Sequence, residues 1–261
     1  MPFPLAHPAV AVPFRRWCPK YLDFSALVVG CIVPDLAASI RDLEYFSHSI
    51  LGSFAFCLPV GLMTVWILRQ IQAPLVSTLP NPHRSALLPL CCKAPYSLLR
   101  VSGSVMLGTW FHIGWDMFTH ERSWLVRHSL LSSVRIGGMP LNRFVWLISS
   151  IVGIFILAQQ YLLLLRKTTA RTPSPAGSDG RAYAFWIGML LLPFVGAVPL
   201  ALHDPTYYHG ALLSFIAMYY LSCSYLTFAI AGFVLSYQQK RHGGSVRVGG
   251  GADRLSDSLS K

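Results

Sequence analysis

Long apolar segments separated by short polar ones make up most of this chain. Five of these segments are about 20 residues long or longer and almost free of charge, which is the length an α-helix needs to cross the hydrocarbon core of a bilayer. They cover residues 49–68, 96–118, 141–165, 182–202 and 211–237. This alternation predicts an all-α fold, a multi-pass bundle of membrane helices.

A shorter apolar run, residues 24–40, lies at the lower length limit for a span. Pro34 and Asp35 interrupt it, so two interpretations stay open: a short sixth span, or half of a hairpin that enters and leaves on the same side. The residues before it are cut by several prolines, and Pro8 after His7 suits the first turn of a short helix. The prediction is therefore five to six membrane helices plus a short N-terminal helix.

Composition supports a membrane protein and argues against a nucleic-acid-binding one. The chain has 261 residues, is 54% hydrophobic and has only 12% charged residues, about half of the share in soluble domains. Its net charge is +11, but the Lys and Arg residues are scattered through loops between apolar runs. That distribution orients spans in a bilayer and forms no binding face for nucleic acid.

The basic residues also predict an orientation and a domain division. Most of them lie on the inner side of the membrane when the C-terminus is cytoplasmic, whether or not residues 24–40 cross. We expect residues 1–237 to form one membrane domain and residues 238–261 to be a disordered, Gly-rich, basic cytoplasmic tail. The Pro-rich linker 70–95 and residues 168–180 are predicted to be loops.

Three polar side chains share one face of the segment that ends near residue 118. His112, Asp116 and His120 are spaced four apart, so on a helix they point the same way. For His112 and Asp116 one interpretation is a pair of metal ligands, and the other is a hydrogen bond between buried helices. His120 is either a third ligand or a loop residue.

Further candidates lie elsewhere in the chain. Asp35 has no close basic neighbour, and a buried, unpaired carboxylate should protonate or bind a cation. His48 stands between Ser47, a natural helix N-cap, and Ser49, so it is either a ligand or a solvated residue beside a cap. Residues 203–209 carry His and Asp but also read as an ordinary turn.

The absence of other motifs narrows the chemistry. The six cysteines form no C-x-x-C pair, so we expect neither a disulfide nor a cysteine metal site. The sequence has no phosphate-binding Gly-rich loop, no G-x-S-x-G nucleophile elbow and no H-E-x-x-H motif. In the predicted orientation, most of the His and Asp candidates lie at the outer rim of the membrane.

Four short motifs together resemble a family of bacterial multi-pass membrane proteins of unknown function, over about residues 1–237. These motifs are His7-Pro8-Ala9, Val33-Pro34-Asp35, Ser47-His48-Ser49-Ile50-Leu51-Gly52 and the segment from His112 to His120. That family is similar to the inner-membrane metal-dependent hydrolases, which carry an N-terminal His, a Pro-Asp, a Thr-His-Ser and a His-x-x-x-Asp in the same order. A more distant similarity is to zinc-dependent phospholipase C and S1/P1 nuclease folds.

The resemblance implies a divalent metal site, most simply zinc. The implied ligands are His7, Asp35, His48, His112 and Asp116, with Asp35 acting as a ligand or as a catalytic base. This chain departs from the hydrolases in two places. Leu36-Ala37 replaces an acidic residue after Pro-Asp, and Glu44-Tyr45-Phe46 replaces a His-Arg-Gly.

Three functions remain open at this point. The first is an enzyme of the bacterial inner membrane that hydrolyses phosphoester or lipid substrates with a metal at the outer face. The second is a transporter or ion-pathway protein, which would hold the same residues near the bilayer midplane. The third is a non-catalytic scaffold whose metal site is closed.

Overall fold

The computed structural model describes residues 3–37, 41–91, 97–121, 123–171, 180–204 and 212–241. In these ranges the α-helices are α1 (Val12–Trp17), α2 (Phe24–Gly30), α3 (Val33–Leu36), α4 (Arg41–Ser47), α5 (Ile50–Gly52), α6 (Leu58–Ser77), α7 (His83–Leu87), α8 (Leu98–Thr119), α9 (Trp124–Arg127), α10 (Leu130–Ser133), α11 (Leu141–Arg171), α12 (Gly180–His203) and α13 (Leu212–Arg241). Two 3₁₀ helices (Pro4–Ala11 and Leu88–Leu90) and a π-helical turn (Ser53–Cys57) complete the helical structure. The predicted all-α class is confirmed.

A single small hairpin connects α10 to α11 in this part of the chain. Strands β1 (Arg135–Ile136) and β2 (Met139–Pro140) pair in antiparallel fashion, with Arg135 opposite Pro140. Gly137 and Gly138 form the turn with φ values of 58° and 83°. Two consecutive positive φ angles favour glycine and match the twist of a tight hairpin.

Four helices among the described residues are long and apolar enough to cross a membrane. They are Ile50–Ser77, which runs unbroken from α5 to α6, Leu141–Thr168, Gly180–His203 and Phe215–Arg241. The predicted span at 96–118 is the 22-residue helix α8, which is not one of the four; its length suffices, but Arg100, His112 and Asp116 lower its hydropathy. The count of five to six spans is therefore not reproduced.

Two predicted loop boundaries were wrong. Helix α6 continues to Ser77 although Pro74 lies inside it, so residues 70–77 are helical rather than linker. The hydroxyls of Ser77 and Thr78 donate to the carbonyls of Pro74 and Leu75, which satisfies acceptors at the helix end. Likewise α11 continues to Arg171, so residues 168–171 are helical rather than loop. Helix α13 ends at Arg241, and residues 242–261 lie outside the described part of the chain.

Residues 24–37 form two short helices that fold back against the N-terminal segment. Asp23 caps α2 by accepting from the Ala26 N–H at 3.1 Å, and α2 ends at Gly30. Pro34 then occupies the first turn of α3, where its missing N–H costs nothing. This fold-back agrees with the hairpin interpretation of the run, and residues 38–40 lie outside the described part of the chain.

Helices α2 and α8 pack with their backbones in contact. A Cβ added at Gly30 would lie 2.2 Å from the Val105 carbonyl oxygen, and one at Gly108 would lie 2.2 Å from the Leu27 carbonyl oxygen. Such close approach requires glycine, as at other interfaces between membrane helices. It brings the C-terminal end of α2 against the middle of α8, next to His112.

One end of the bundle collects the candidate residues, and we call it the site end. There α8 ends, α5 begins and α11 begins, and Asn142 donates from Nδ2 to the Thr119 carbonyl at 3.2 Å. The first 3₁₀ helix packs on α11, where a Cβ at Gly153 would lie 2.9 Å from the Ala6 carbonyl oxygen. At the opposite end, Arg69 pairs with Asp23 at 2.7 Å.

Candidate metal centre

All five predicted ligands converge at the site end from four separate segments. His7 comes from the first 3₁₀ helix, Asp35 from α3, His48 from the turn between α4 and α5, and His112 and Asp116 from α8. The distances from imidazole Nε2 to carboxylate oxygen are 3.2 Å for His112–Asp116, 3.3 Å for His48–Asp116, 3.5 Å for His112–Asp35, 3.6 Å for His7–Asp116 and 3.9 Å for His48–Asp35.

Backbone carbonyls fix the tautomers of two histidines. Nδ1 of His112 lies 2.8 Å from the carbonyl oxygen of Cys31, and Nδ1 of His48 lies 2.8 Å from that of Glu44. A carbonyl can only accept, so both Nδ1 atoms must carry the proton. In the neutral rings each Nε2 therefore carries no proton, and its lone pair points into the cluster, as in many metal-binding histidines.

The interior of the cluster contains acceptors without donors. The Nε2 atoms of His48 and His112 lie 3.2 Å apart. Both carboxylate oxygens of Asp35, both of Asp116, and Nε2 of His7 are buried without a hydrogen-bond partner in the described residues. Because unpaired buried charges are costly, this arrangement requires cations, either protons or a metal ion.

Two overlapping sets of three residues have their ligand atoms within 4.8 Å of one another. One set is His7, Asp35 and His112, and the other is His48, His112 and Asp116. Imidazole nitrogen and carboxylate oxygen are common ligands of zinc and of other divalent transition metals. These buried groups could hold a metal ion, and the unpartnered atoms fit that use.

His7 lies face to face with His112. Their ring centroids are 3.9 Å apart and the planes differ by 24°. Burial lowers the pKa of His7 to about 4. His7 is thus neutral at physiological pH, which is the form that binds a metal.

His120 lies at the edge of the cluster. Its Nδ1 is 3.5 Å from an oxygen of Asp116 and 3.3 Å from the Asp116 carbonyl, so helical spacing correctly predicts its side of α8. The side chain is about one-third exposed, whereas His112 is fully buried. This exposure separates His120 from the five buried or nearly buried candidates.

His128 and Asp204 have their contacts outside the cluster. His128 stacks on Trp124 and its Nδ1 contacts the Trp124 carbonyl. Asp204 accepts from the Tyr219 hydroxyl at 2.7 Å, and His209 lies outside the described residues. The five described cysteines are free thiols, as expected, and Cys92 also lies outside the described part.

Ser47 has a role that its sequence context does not reveal. The sequence predicts Ser47 as a helix N-cap, but the N-cap of α5 is Ser49, whose hydroxyl accepts from the Gly52 N–H at 2.9 Å. Ser47 is fully buried, and its hydroxyl contacts the carbonyls of Pro34 at 3.0 Å and Glu44 at 2.9 Å. It therefore ties the segment of Asp35 to the segment of His48.

A large cavity adjoins the cluster on one side. Its volume is about 1170 Å³, and His48, Asp116 and His120 form part of its wall, whereas Asp35 and His7 do not. The rest of the wall includes Trp110 and Trp146. The cluster is thus closed toward the protein interior and accessible from the cavity.

Residues 1–237 match a protein family described as a domain of unknown function (DUF4184). The match covers most of the chain, so the chain belongs to this family. No characterised protein and no solved structure matches it.

Proposed function

We propose that this member of the DUF4184 family is an integral membrane enzyme that hydrolyses phosphoester or lipid substrates with a divalent metal ion, zinc in the simplest case. The membrane is the bacterial inner membrane, the metal site faces outward and the C-terminus is cytoplasmic. Four apolar helices of spanning length support a membrane location. The positive-inside rule supports the orientation.

One observation carries the proposal: while the histidines are neutral, the cluster holds buried acceptors that have no donor among the described residues. Two Nε2 lone pairs face each other at 3.2 Å, and four buried carboxylate oxygens lack donors. A structural hydrogen-bond network would pair donors with acceptors. A divalent cation satisfies all of these groups at once.

The side chains divide into ligands and residues that can contact substrate. His7, His48, His112 and Asp116 would hold the ion, with Asp35 as a further ligand. A divalent ion in such a site polarises a phosphoryl or acyl oxygen and makes water a better nucleophile. Asp35 does not reach the cavity, whereas His120 does, so His120 is the better placed of the two to move a proton.

The position of the site within the bundle supports an enzyme over the two alternatives. His48 lies just before α5 begins and Asp116 lies one turn from the end of α8, whereas transporters hold their substrates halfway along the long helices. Access from the cavity leaves room for a substrate, whereas structural zinc sites are closed. The resemblance to inner-membrane metal-dependent hydrolases points the same way.

Metal analysis tests the proposal directly. Purified protein in detergent should contain zinc or another divalent metal, and a His112→Ala, Asp116→Ala double variant should lose it. His128→Ala is the matched control because His128 lies outside the cluster. Equal, near-zero metal in wild type and double variant would overturn the metal site.

Turnover is tested separately on the metal-loaded protein. Incubation with a bacterial polar lipid extract should release phosphate or fatty acid, and the double variant should release neither. If the protein binds metal at full occupancy but releases neither phosphate nor fatty acid, the enzyme function is wrong and the non-catalytic scaffold is favoured.

A further inference from the structure

We propose that the cavity beside the cluster binds the hydrocarbon part of a phosphate-bearing membrane lipid, which enters from the bilayer with its phosphate toward His48 and Asp116. This inference rests on the proposed function, because it assigns the substrate class of the same site.

The size and wall of the cavity favour an amphiphile. Pockets for small ligands measure about 300–1,000 Å³, and this cavity has about 1170 Å³. Trp110, Ile113, Gly114 and Met117 line it at positions i, i+3, i+4 and i+7 of α8, which is one continuous face of the helix. This face is next to the face that carries His112 and Asp116.

The cavity opens toward surfaces that would contact lipid. Its wall includes Ile50 and Leu147, each near the start of a helix of spanning length. Ile50 is 81% exposed, Trp124 is 69% exposed and Trp110 is 49% exposed. Large exposed apolar residues around a cavity mouth are unfavourable in water but suit contact with acyl chains.

The polar end of the cavity suits a phosphate only when the cluster holds its cation. The wall carries the carboxylates of Asp116, Glu44 and Glu121, which would repel an anion. Arg143 is also in the wall, and among the described residues its Nε donates to Glu121 at 2.7 Å. A guanidinium has five donors, so Arg143 can bind a phosphate while this pair persists.

A water-soluble phosphoester would leave most of this wall uncovered. Its polar body would displace water from Trp110, Ile113 and Met117 without making hydrogen bonds there, so it would gain little from the apolar part of the cavity. Hydrocarbon chains gain affinity from that surface. A lipid with both a phosphate headgroup and hydrocarbon chains should therefore bind with much higher affinity than either part alone.

Narrowing the cavity without touching the ligands provides the test. A Cβ at Gly114 would meet no atom within 4 Å, so Gly114→Leu adds a side chain to the cavity wall without a backbone clash. Gly103→Leu is the matched control: it lies on the same helix, has the same open space and does not line the cavity. Both changes remove a helix glycine, so their effects on helix propensity are equal.

The measurement is native mass spectrometry of zinc-loaded protein in detergent, titrated with dioleoyl phosphatidic acid. Wild type and Gly103→Leu should bind one lipid saturably, and Gly114→Leu should bind it at least about tenfold more weakly. Dioleoylglycerol, which lacks phosphate, and glycerol 3-phosphate, which lacks chains, should each bind wild type at least about tenfold more weakly.

The outcomes separate this inference from the proposed function. Zinc content is read from the same spectra. If zinc is retained, any of three results would overturn the lipid site alone. These are equal lipid binding by the two glycine variants, glycerol 3-phosphate binding as tight as lipid binding, and no lipid bound to wild type. Absence of zinc from wild type would overturn the metal site on which it rests.

Discussion

Nε2 of His48 lies 3.2 Å from Nε2 of His112, although 64 positions separate the two residues in the chain. Each ring donates its Nδ1 proton to a backbone carbonyl, so neither neutral ring has a proton to place between them. The contact is favourable only when a cation lies close to both nitrogens. The folded state of this end of the bundle is therefore coupled to cation binding.

Zinc should stabilise the wild-type protein and should not stabilise Asp116→Asn. A ligand that binds only the folded state adds about 2.7 kcal/mol at 100 times its dissociation constant. Without metal the variant should also be less stable than wild type, because Asp116 lies 3.2 Å from His112 and 3.3 Å from His48, and its loss leaves these side chains unpaired. Thermal unfolding in detergent, with EDTA and with zinc, measures both effects.

Glu121→Gln is the matched control for this pair of measurements. Glu121 is exposed and pairs with Arg143 outside the cluster, so the same loss of charge there should leave the response to zinc unchanged. An Asp116→Asn protein that gains as much from zinc as wild type does would contradict a ligand role for Asp116.

The close approach of α2 and α8 gives a second prediction. Gly108→Ala should destabilise the protein by about 2–4 kcal/mol, since its Cβ would lie 2.2 Å from the Leu27 carbonyl and the helices would have to separate. Separation also moves the Cys31 carbonyl away from His112, so zinc affinity should fall. Chemical unfolding and zinc titration report the two changes.

Gly103→Ala on the same helix tests whether the glycine itself matters. A Cβ there would meet no atom within 4 Å, so the alanine should stabilise the helix by up to about 1 kcal/mol. Similar effects of the two alanine variants would mean that α2 and α8 do not touch as described.

Local spacing predicts part of the site, and long-range packing decides the rest. Helical periodicity alone places His112 and Asp116 on one face, because four residues make about one turn. Nothing in the spacing brings His7 or Asp35 to that face. Asp35 is a candidate as a carboxylate without a close basic neighbour, and His7 comes from the resemblance to a family. Their convergence depends on the fold-back of residues 24–37, and that in turn depends on the contact at Gly30 and Gly108.

Sequence signals failed where a residue has two common roles. Pro74 reads as a helix breaker, yet α6 passes through it; the carbonyl that lacks a donor because of Pro74 is that of Gln70, and the Ser236 hydroxyl lies 3.2 Å from it. Ser47 reads as an N-cap, yet the neighbouring Ser49 performs that role. The cavity could not be predicted, since it results from the arrangement of several helices rather than from any one of them.

The two serines that flank His48 should differ in their effect on the metal. Ser47→Ala removes the hydroxyl that bridges the carbonyls of Pro34 and Glu44, and should lower zinc affinity by about 10- to 100-fold. Ser49→Ala removes only a helix cap, at a cost of about 1 kcal/mol in stability. Zinc titration by calorimetry should separate them, and equal affinities in both variants would count against a positioning role for Ser47.

The ion pair at the opposite end of the bundle should make stability depend on acidic pH. Burial opposes ionisation of Asp23, but hydrogen bonds from Ser25, the Ala26 N–H and Arg69 outweigh it and hold the pKa of Asp23 below its usual value. A carboxyl group whose pKa is lower in the folded state contributes stability above its unfolded pKa, about 3.9, and loses it as the pH falls further.

Asp23→Asn should therefore cost stability at neutral pH and almost none in acid. Asparagine can still cap α2, so the substitution isolates the pair with Arg69. Because the Arg69 side chain is about one-third exposed, the expected cost at pH 7 is about 1–3 kcal/mol, below that of a fully buried pair. Unfolding measured from neutral pH to about pH 3 should show the two proteins converging as Asp23 protonates. A constant difference across that range would mean that Asp23 contributes through its shape and hydrogen bonds rather than through its charge.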